Sequence, residues 1–162
     1  MEATMEKPKL QREHEWLQQL VGEWSFEVEA IMPGGAPTEK HKGTESVRSI
    51  DGVWVVCDMR GDAGPDTSVM TLGFDPRLGR VVGTFISSMM THLWIYNGSL
   101  DATGKILTMD CEGPSFTDPT KLVPYQDVIE IKSADQRILT SRTRGDDGKW
   151  TQFMTSRYQR TR

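Results

Sequence analysis

The sequence has 162 residues, of which 36% are hydrophobic and 26% charged, and its formal net charge is −4. Such a length and composition are typical of one globular domain with a sizeable core. An acidic chain without a clustered basic face is not expected to bind nucleic acid. Since no apolar run approaches the roughly 18 residues of a membrane-spanning helix, we expect no membrane partner either.

The N-terminal stretch MEATMEKPK carries two glutamates and no apolar core, unlike a secretory signal. The cytoplasm is therefore the expected location. The only cysteines are Cys57 and Cys111. Two thiols in a chain without an export signal are expected to be reduced, although the sequence leaves a bridge between them open.

One segment, KLQREHEWLQQLVG at residues 9 to 22, predicts a helix. Its apolar residues Leu10, Leu17, Leu20 and Val21 recur at the spacing of one helical face, and Gly22 is a natural stop.

From residue 23 onward, alternation of apolar and polar residues predicts strands. Trp24, Phe26 and Val28 alternate with polar residues, as in a strand with one wet face. Turn sequences such as PGGAP (33–37), DPRLG (75–79) and DATG (101–104) divide the chain into about ten such runs. We place the strands near residues 23–32, 41–50, 53–60, 67–74, 80–88, 91–100, 105–111, 121–132, 137–145 and 149–158.

The short connections favour antiparallel hairpins between neighbouring strands, and a meander of this length exposes two edges unless it closes. The predicted fold class is therefore all-β: an antiparallel up-and-down barrel of about ten strands, with the N-terminal helix over one open end. Residues 1–8 are expected to form a disordered tail, and residues 9–162 a single domain.

Several stretches resemble known proteins. Gly22-Glu23-Trp24 resembles the Gly-x-Trp element that opens the first strand of calycin and lipocalin-type barrels. The blocks LGFDPRLGRVVGTFISSMMTHLWIYNGSLDATGKILTMDCEGPSFTDP and DGKWTQFMTSRYQR are similar to the bacterial family catalogued as domain of unknown function 1579, over about residues 13 to 160. That family is grouped with calycin-like barrels, so the resemblance implies a calycin-like fold. It implies no particular reaction and no catalytic residues.

The run SSMMTHLWIYNGSL, residues 87 to 100, places a histidine inside an apolar strand-like segment. Alternation puts Met90, His92 and Trp94 on one face, and Leu93 and Ile95 on the other. We expect the first face to point into the lumen of the barrel. Because the second face is also apolar, a second copy of the chain covering it would form a homodimer.

An imidazole in a barrel could ligate haem iron, act as a general base or orient a polar ligand group. The simpler interpretation is a buried neutral histidine bonded to a backbone carbonyl or a hydroxyl, since an unpaired buried polar group costs about 1–3 kcal/mol. The sequence identifies no cofactor. His14, His41 and His92 lie far apart and predict no metal site, and no nucleophile motif assigns a catalytic residue.

The aromatic and methionine content favours binding of a small, largely apolar ligand inside the barrel. One alternative is a small enzyme that uses His92 with a carboxylate in the lumen, which we favour less than ligand binding. Another is a filled barrel that serves as an interaction module without a ligand. The stretch 112–121 is either a lid at the barrel mouth or a wide hairpin loop. The candidate ligand-binding residues are His92, Trp94, Met90, Tyr125, Arg142 and Trp54.

Overall fold

A computed structural model of the chain describes residues 5–31, 39–64 and 66–162. Within them one short helix, α1 (Arg12–Gln18), precedes ten strands. The strands are β1 (Gly22–Ala30), β2 (Glu39–Ile50), β3 (Trp54–Gly61), β4 (Thr67–Asp75), β5 (Arg80–Ser87), β6 (Trp94–Leu100), β7 (Ile106–Pro114), β8 (Leu122–Ser133), β9 (Gln136–Arg144) and β10 (Trp150–Arg160).

The ten strands form a closed barrel in which each strand pairs antiparallel with its neighbour in sequence. The sheet closes where β1 pairs with β10, in a register that runs from Trp24 opposite Arg160 to Ala30 opposite Met154. The predicted all-β, up-and-down barrel of about ten strands with an N-terminal helix is therefore confirmed. The turn predicted at 33–37 and the first four residues of the predicted tail lie outside the described residues.

Most strand boundaries differ from the sequence-based expectation by one or two residues, whereas the helix spans Arg12–Gln18 rather than 9–22 and β7 ends at Pro114 rather than at residue 111. The helix begins at Arg12 rather than residue 9, because the backbone N–H of Gln11 donates to His14 Nδ1 at 2.9 Å and starts the first turn. The other ring nitrogen, His14 Nε2, therefore carries the proton and donates to the Phe74 carbonyl at 3.1 Å. Strand β6 begins at Trp94 rather than at residue 91.

The helix closes one end of the barrel. Leu17 on the helix and Leu20 just after it are fully buried, and Trp16 Nε1 donates to the Gly104 carbonyl at 2.6 Å. Leu107 and Met109 on β7 are also fully buried and belong to the same hydrophobic core. Among the described residues, no helix is long and apolar enough to cross a membrane.

Replacing Leu107 with alanine should lower the free energy of unfolding by about 2–5 kcal/mol, because the side chain is fully buried and its loss leaves a cavity. Leu78→Ala is the matched control, since Leu78 is 54% exposed and should contribute less than about 0.5 kcal/mol. Urea unfolding of both variants measures the difference. Equal losses would contradict the assignment of Leu107 to the core.

Candidate functional site

The barrel contains a cavity of about 390 Å³. It lies toward the end opposite the helix, since its lining includes Ala30 at the end of β1, Gly61 at the end of β3 and Trp94 at the start of β6. Just over half of the remaining lining residues are aromatic or sulfur-containing: Phe26, Phe85, Tyr96, Tyr125, Phe153 and Tyr158, with Met59, Met70, Met89, Met90, Met154 and Cys111.

Inward-facing glycines make room for the aromatic rings of this lining. A Cβ at Gly113 on β7 would lie 2.0 Å from Trp94 Cη2, and one at Gly43 on β2 would lie 2.3 Å from Phe26 Cζ. Both distances are far inside van der Waals contact. The glycines therefore determine where the largest side chains of the lumen can sit.

A buried carboxylate forms the polar part of the cavity wall. Asp127 on β8 accepts hydrogen bonds from Tyr96 Oη at 2.5 Å and from Ser141 Oγ at 2.6 Å. Burial raises the pKa of the Asp127 carboxyl, and the Ser141 and Tyr96 hydrogen bonds offset part of that rise. Burial is also the main reason that the pKa of the Tyr96 hydroxyl lies well above its usual value.

A second buried carboxylate, Glu45 on β2, is paired with a cation. Arg137 on β9 donates a hydrogen bond to Glu45 Oε1, and both side chains are almost completely buried. The guanidinium carbon of Arg137 lies 3.8 Å from the ring centroid of Tyr158 and 4.7 Å from that of Trp24. Burial raises the pKa of Glu45, and the charge of Arg137 acts in the opposite direction. The positive charge of Arg137 is thus balanced by the carboxylate of Glu45.

Aromatic rings from four parts of the chain meet at the mouth of the cavity. Phe116 lies in the loop between β7 and β8, with its ring centroid 5.0 Å from that of Phe153 and 6.0 Å from that of Tyr125. The Tyr125 ring in turn meets Trp94 edge-on at 4.9 Å. Since Phe116 is still 62% exposed, this loop lies over the mouth without sealing it.

Residues 9–160 match the family described as "Protein of unknown function (DUF1579)". The chain belongs to this family. The match spans nearly the whole barrel and confirms the resemblance seen in the sequence. No curated protein matches the chain.

Two solved structures share the fold of this DUF1579 protein. Rv2717c from M. tuberculosis superposes with a TM-score of 0.64 at 14% identity, over 95% of this chain and 100% of that one. The S-type phycobiliprotein lyase CPES from Guillardia theta superposes with a TM-score of 0.52 at 13% identity, over 96% of this chain and 99% of that one. Identities this low show a common barrel fold alone.

Three of the six candidate residues line the cavity: Met90, Trp94 and Tyr125. His92 does not, which differs from the expectation that it faces the lumen. It precedes β6, so strand alternation does not extend to it, and its Nε2 donates instead to the Glu112 carbonyl at 2.8 Å. The ring is half-buried beside an outer groove and is not placed to ligate haem iron in the lumen.

Trp54 and Arg142 also lie outside the lumen. Each is next to an inward-facing residue, Val55 and Ser141 respectively, and alternation therefore turns it outward. Trp54 covers Gly73, where a Cβ would lie 2.3 Å from the indole ring. Arg142 Nε donates to Gln126 Oε1 at 2.7 Å on the outer face.

Sequence reasoning missed the polar group formed by Asp127, Tyr96 and Ser141. A signal was present, because VPYQDVIEI alternates with valine, tyrosine and isoleucine on one face and places an aspartate at residue 127 of that face. An acidic residue among inward apolar positions marks a buried polar site. The described ranges hold no cluster of three or more histidine, cysteine, aspartate or glutamate side chains that could bind a metal ion.

Cys57 and Cys111 are free and buried. Burial raises the pKa of both thiols, to about 12 for Cys111. Neither thiol should therefore react quickly with a maleimide near neutral pH, because the thiolate is the reactive form. Mass spectrometry should find no label on the native protein and two labels after unfolding in guanidinium. Rapid single labelling of the native protein would contradict the burial of one thiol.

Proposed function

We propose that this protein binds a small, largely apolar molecule in the lumen of its barrel. The observation that carries the proposal is the cavity of about 390 Å³, which is lined mainly by aromatic and sulfur side chains. Its volume falls within the range of small-molecule sites, and an apolar wall with a few convergent polar groups is typical of them. Trp94, Tyr125 and Met90 are the proposed contacts from the sequence-based set, and Asp127 with Tyr96 is added from the structure.

The geometry around His92 gives the enzyme alternative little support. That hypothesis required the imidazole to meet a carboxylate inside the lumen, whereas its Nε2 bonds the backbone carbonyl of Glu112. The filled-barrel alternative conflicts with a cavity large enough for a ligand.

The expected cytoplasmic location stays a proposal. Free thiols at Cys57 and Cys111 agree with a reducing compartment, since oxidising compartments favour bridges.

The lumen proposal predicts saturable binding of N-phenyl-1-naphthylamine, an uncharged probe that fluoresces in apolar surroundings. Ser68→Trp should weaken this binding by at least about tenfold, equivalent to about 1.4 kcal/mol, because Ser68 lines the cavity and an indole there would occupy it. Fluorescence titration of the folded variants measures the change.

Thr44→Trp is the matched control, because Thr44 is exposed on the outside of β2 and the same indole there leaves the lumen open. Equal affinity of the native protein and Ser68→Trp would place the probe outside the lumen. Failure of the native protein to bind the probe would contradict the proposed function.

We also propose that a second copy of the chain covers the outer face around β7, β8 and β9. Ile95 and Leu122 flank this face and are 64% and 60% exposed, which leaves apolar area available to a partner. Strand β8 lies between β7 and β9. The outward-facing residues Asp110 and Glu112 on β7 are acidic, whereas Arg142 and Arg144 on β9 are basic.

This charge arrangement is self-complementary. Asp110 is opposite Gln126 on β8, and Gln126 is opposite Arg142, so β8 lies midway between the two signs. A two-fold axis along β8 would bring the acidic side of one copy onto the arginine side of the other. That is the arrangement of an isologous dimer.

Sedimentation velocity should therefore detect a dimer. Glu112→Arg should shift it toward monomer by placing like charges together, and the double change Glu112→Arg with Arg144→Glu should restore it by exchanging the signs. Arg48→Glu on the exposed face of β2 is the control and should have no effect. A native monomer at all concentrations, or no rescue by the double change, would contradict this interface.

A further inference from the structure

Asp127 differs from the other buried carboxylate in having no cation beside it. Glu45 is neutralised by Arg137, whereas none of the ion pairs within the described residues includes Asp127. The Tyr96 and Ser141 hydroxyls bond one carboxylate oxygen each. A carboxylate has about four acceptor positions, so both oxygens keep capacity for a further donor.

A molecule in the cavity could reach these acceptor positions, because Asp127 is part of the cavity lining. The side chain lies on the same inward face of β8 as Tyr125, in a wall that is otherwise largely apolar. A buried carboxylate without a positive partner is unfavourable, and burial raises its pKa accordingly. A cation arriving in the cavity would remove that cost.

The other charged groups on the cavity wall lie at its mouth. His41, Lys42 and Asp66 are exposed there and carry both signs, so they set no strong preference for one ligand charge. Arg137 is paired with Glu45 and is not among the residues that line the cavity. Asp127 is thus the buried acidic group on the cavity wall.

We propose that the lumen is a site for an apolar molecule bearing a basic amine, whose ammonium group hydrogen-bonds the Asp127 carboxylate. This inference rests on the proposed lumen-binding function and specifies the class of its ligand. The ammonium takes the acceptor positions left by Tyr96 and Ser141, and the apolar body lies among the aromatic rings.

The aromatic lining adds to this selectivity. Trp94, Tyr125 and Phe153 line the same cavity, and the faces of such rings attract cations. An anionic head group would meet the Asp127 carboxylate, which repels it. A neutral hydroxyl could donate to Asp127 without the gain from charge.

The test compares three ligands that share one naphthalene body and differ in the head group: 2-(1-naphthyl)ethylamine, 2-(1-naphthyl)ethanol and 1-naphthylacetic acid. Isothermal titration calorimetry near neutral pH should give the amine an affinity roughly tenfold or more above the alcohol, as expected of a charge-assisted hydrogen bond. The acid should bind most weakly. This comparison uses the native protein, so it does not depend on the folding of any variant.

Asp127→Asn should reduce the preference for the amine to within about threefold of the alcohol, because the amide keeps the shape but not the charge. Asp58→Asn is the matched control, since it removes an exposed acid on the outer face of β3, away from the cavity, and should keep the preference. Thermal unfolding followed by circular dichroism establishes that both variants are folded.

Equal affinity for the amine and the alcohol, or tightest binding of the acid, would overturn the amine assignment. So would an absence of amine binding by protein that still binds N-phenyl-1-naphthylamine, and that result would leave lumen binding intact. If neither N-phenyl-1-naphthylamine nor any of the three head-group ligands binds, the proposed function fails together with this inference.

Discussion

Seven residue pairs join the first strand to the last, from Trp24 opposite Arg160 to Ala30 opposite Met154. Forming them requires almost the whole chain to be in place, which costs loop-closure entropy. Arg160 reinforces this closure from the last strand. Its guanidinium donates to the carbonyls of Val21 and Gln19 at 2.6 and 2.7 Å and lies 4.3 Å from the Trp24 ring centroid. Without this closure, two edges would be exposed and there would be no lumen.

Closure over ten strands also explains why the interior is not completely filled. A barrel with this many strands is wider than one whose side chains just meet at the axis. The helix end is filled by Leu17, Leu20 and Leu107, whereas the other end retains about 390 Å³. Inward glycines such as Gly113 let rings such as Trp94 lie along the wall instead of crossing the middle. The same sheet therefore supplies a core at one end and a cavity at the other.

The strands and their order were predictable, because the period of two and the turn residues report on local backbone geometry. Closure was predictable because an open meander of ten strands would expose two edges. The site was predictable only in part. Met90, Trp94 and Tyr125 line the cavity as expected, but His92 does not, since alternation fixes the direction of a side chain only within a strand and β6 begins at Trp94. Strand β6 pairs with β7 from Asn97 opposite Asp110 to Leu100 opposite Leu107. The point at which two strands begin to pair depends on tertiary packing that no local pattern encodes.

The two buried carboxylates, Glu45 and Asp127, differ in their partners. Glu45 is matched by Arg137, and the arginine stacks on Tyr158, so the two charges of that pair balance within the protein. Asp127 has two hydroxyl partners and an open cavity in place of a cation. An asparagine would fill the same space without the cost of burying a charge. The acidic side chain at this position is therefore the feature on which the proposed preference for a basic amine rests.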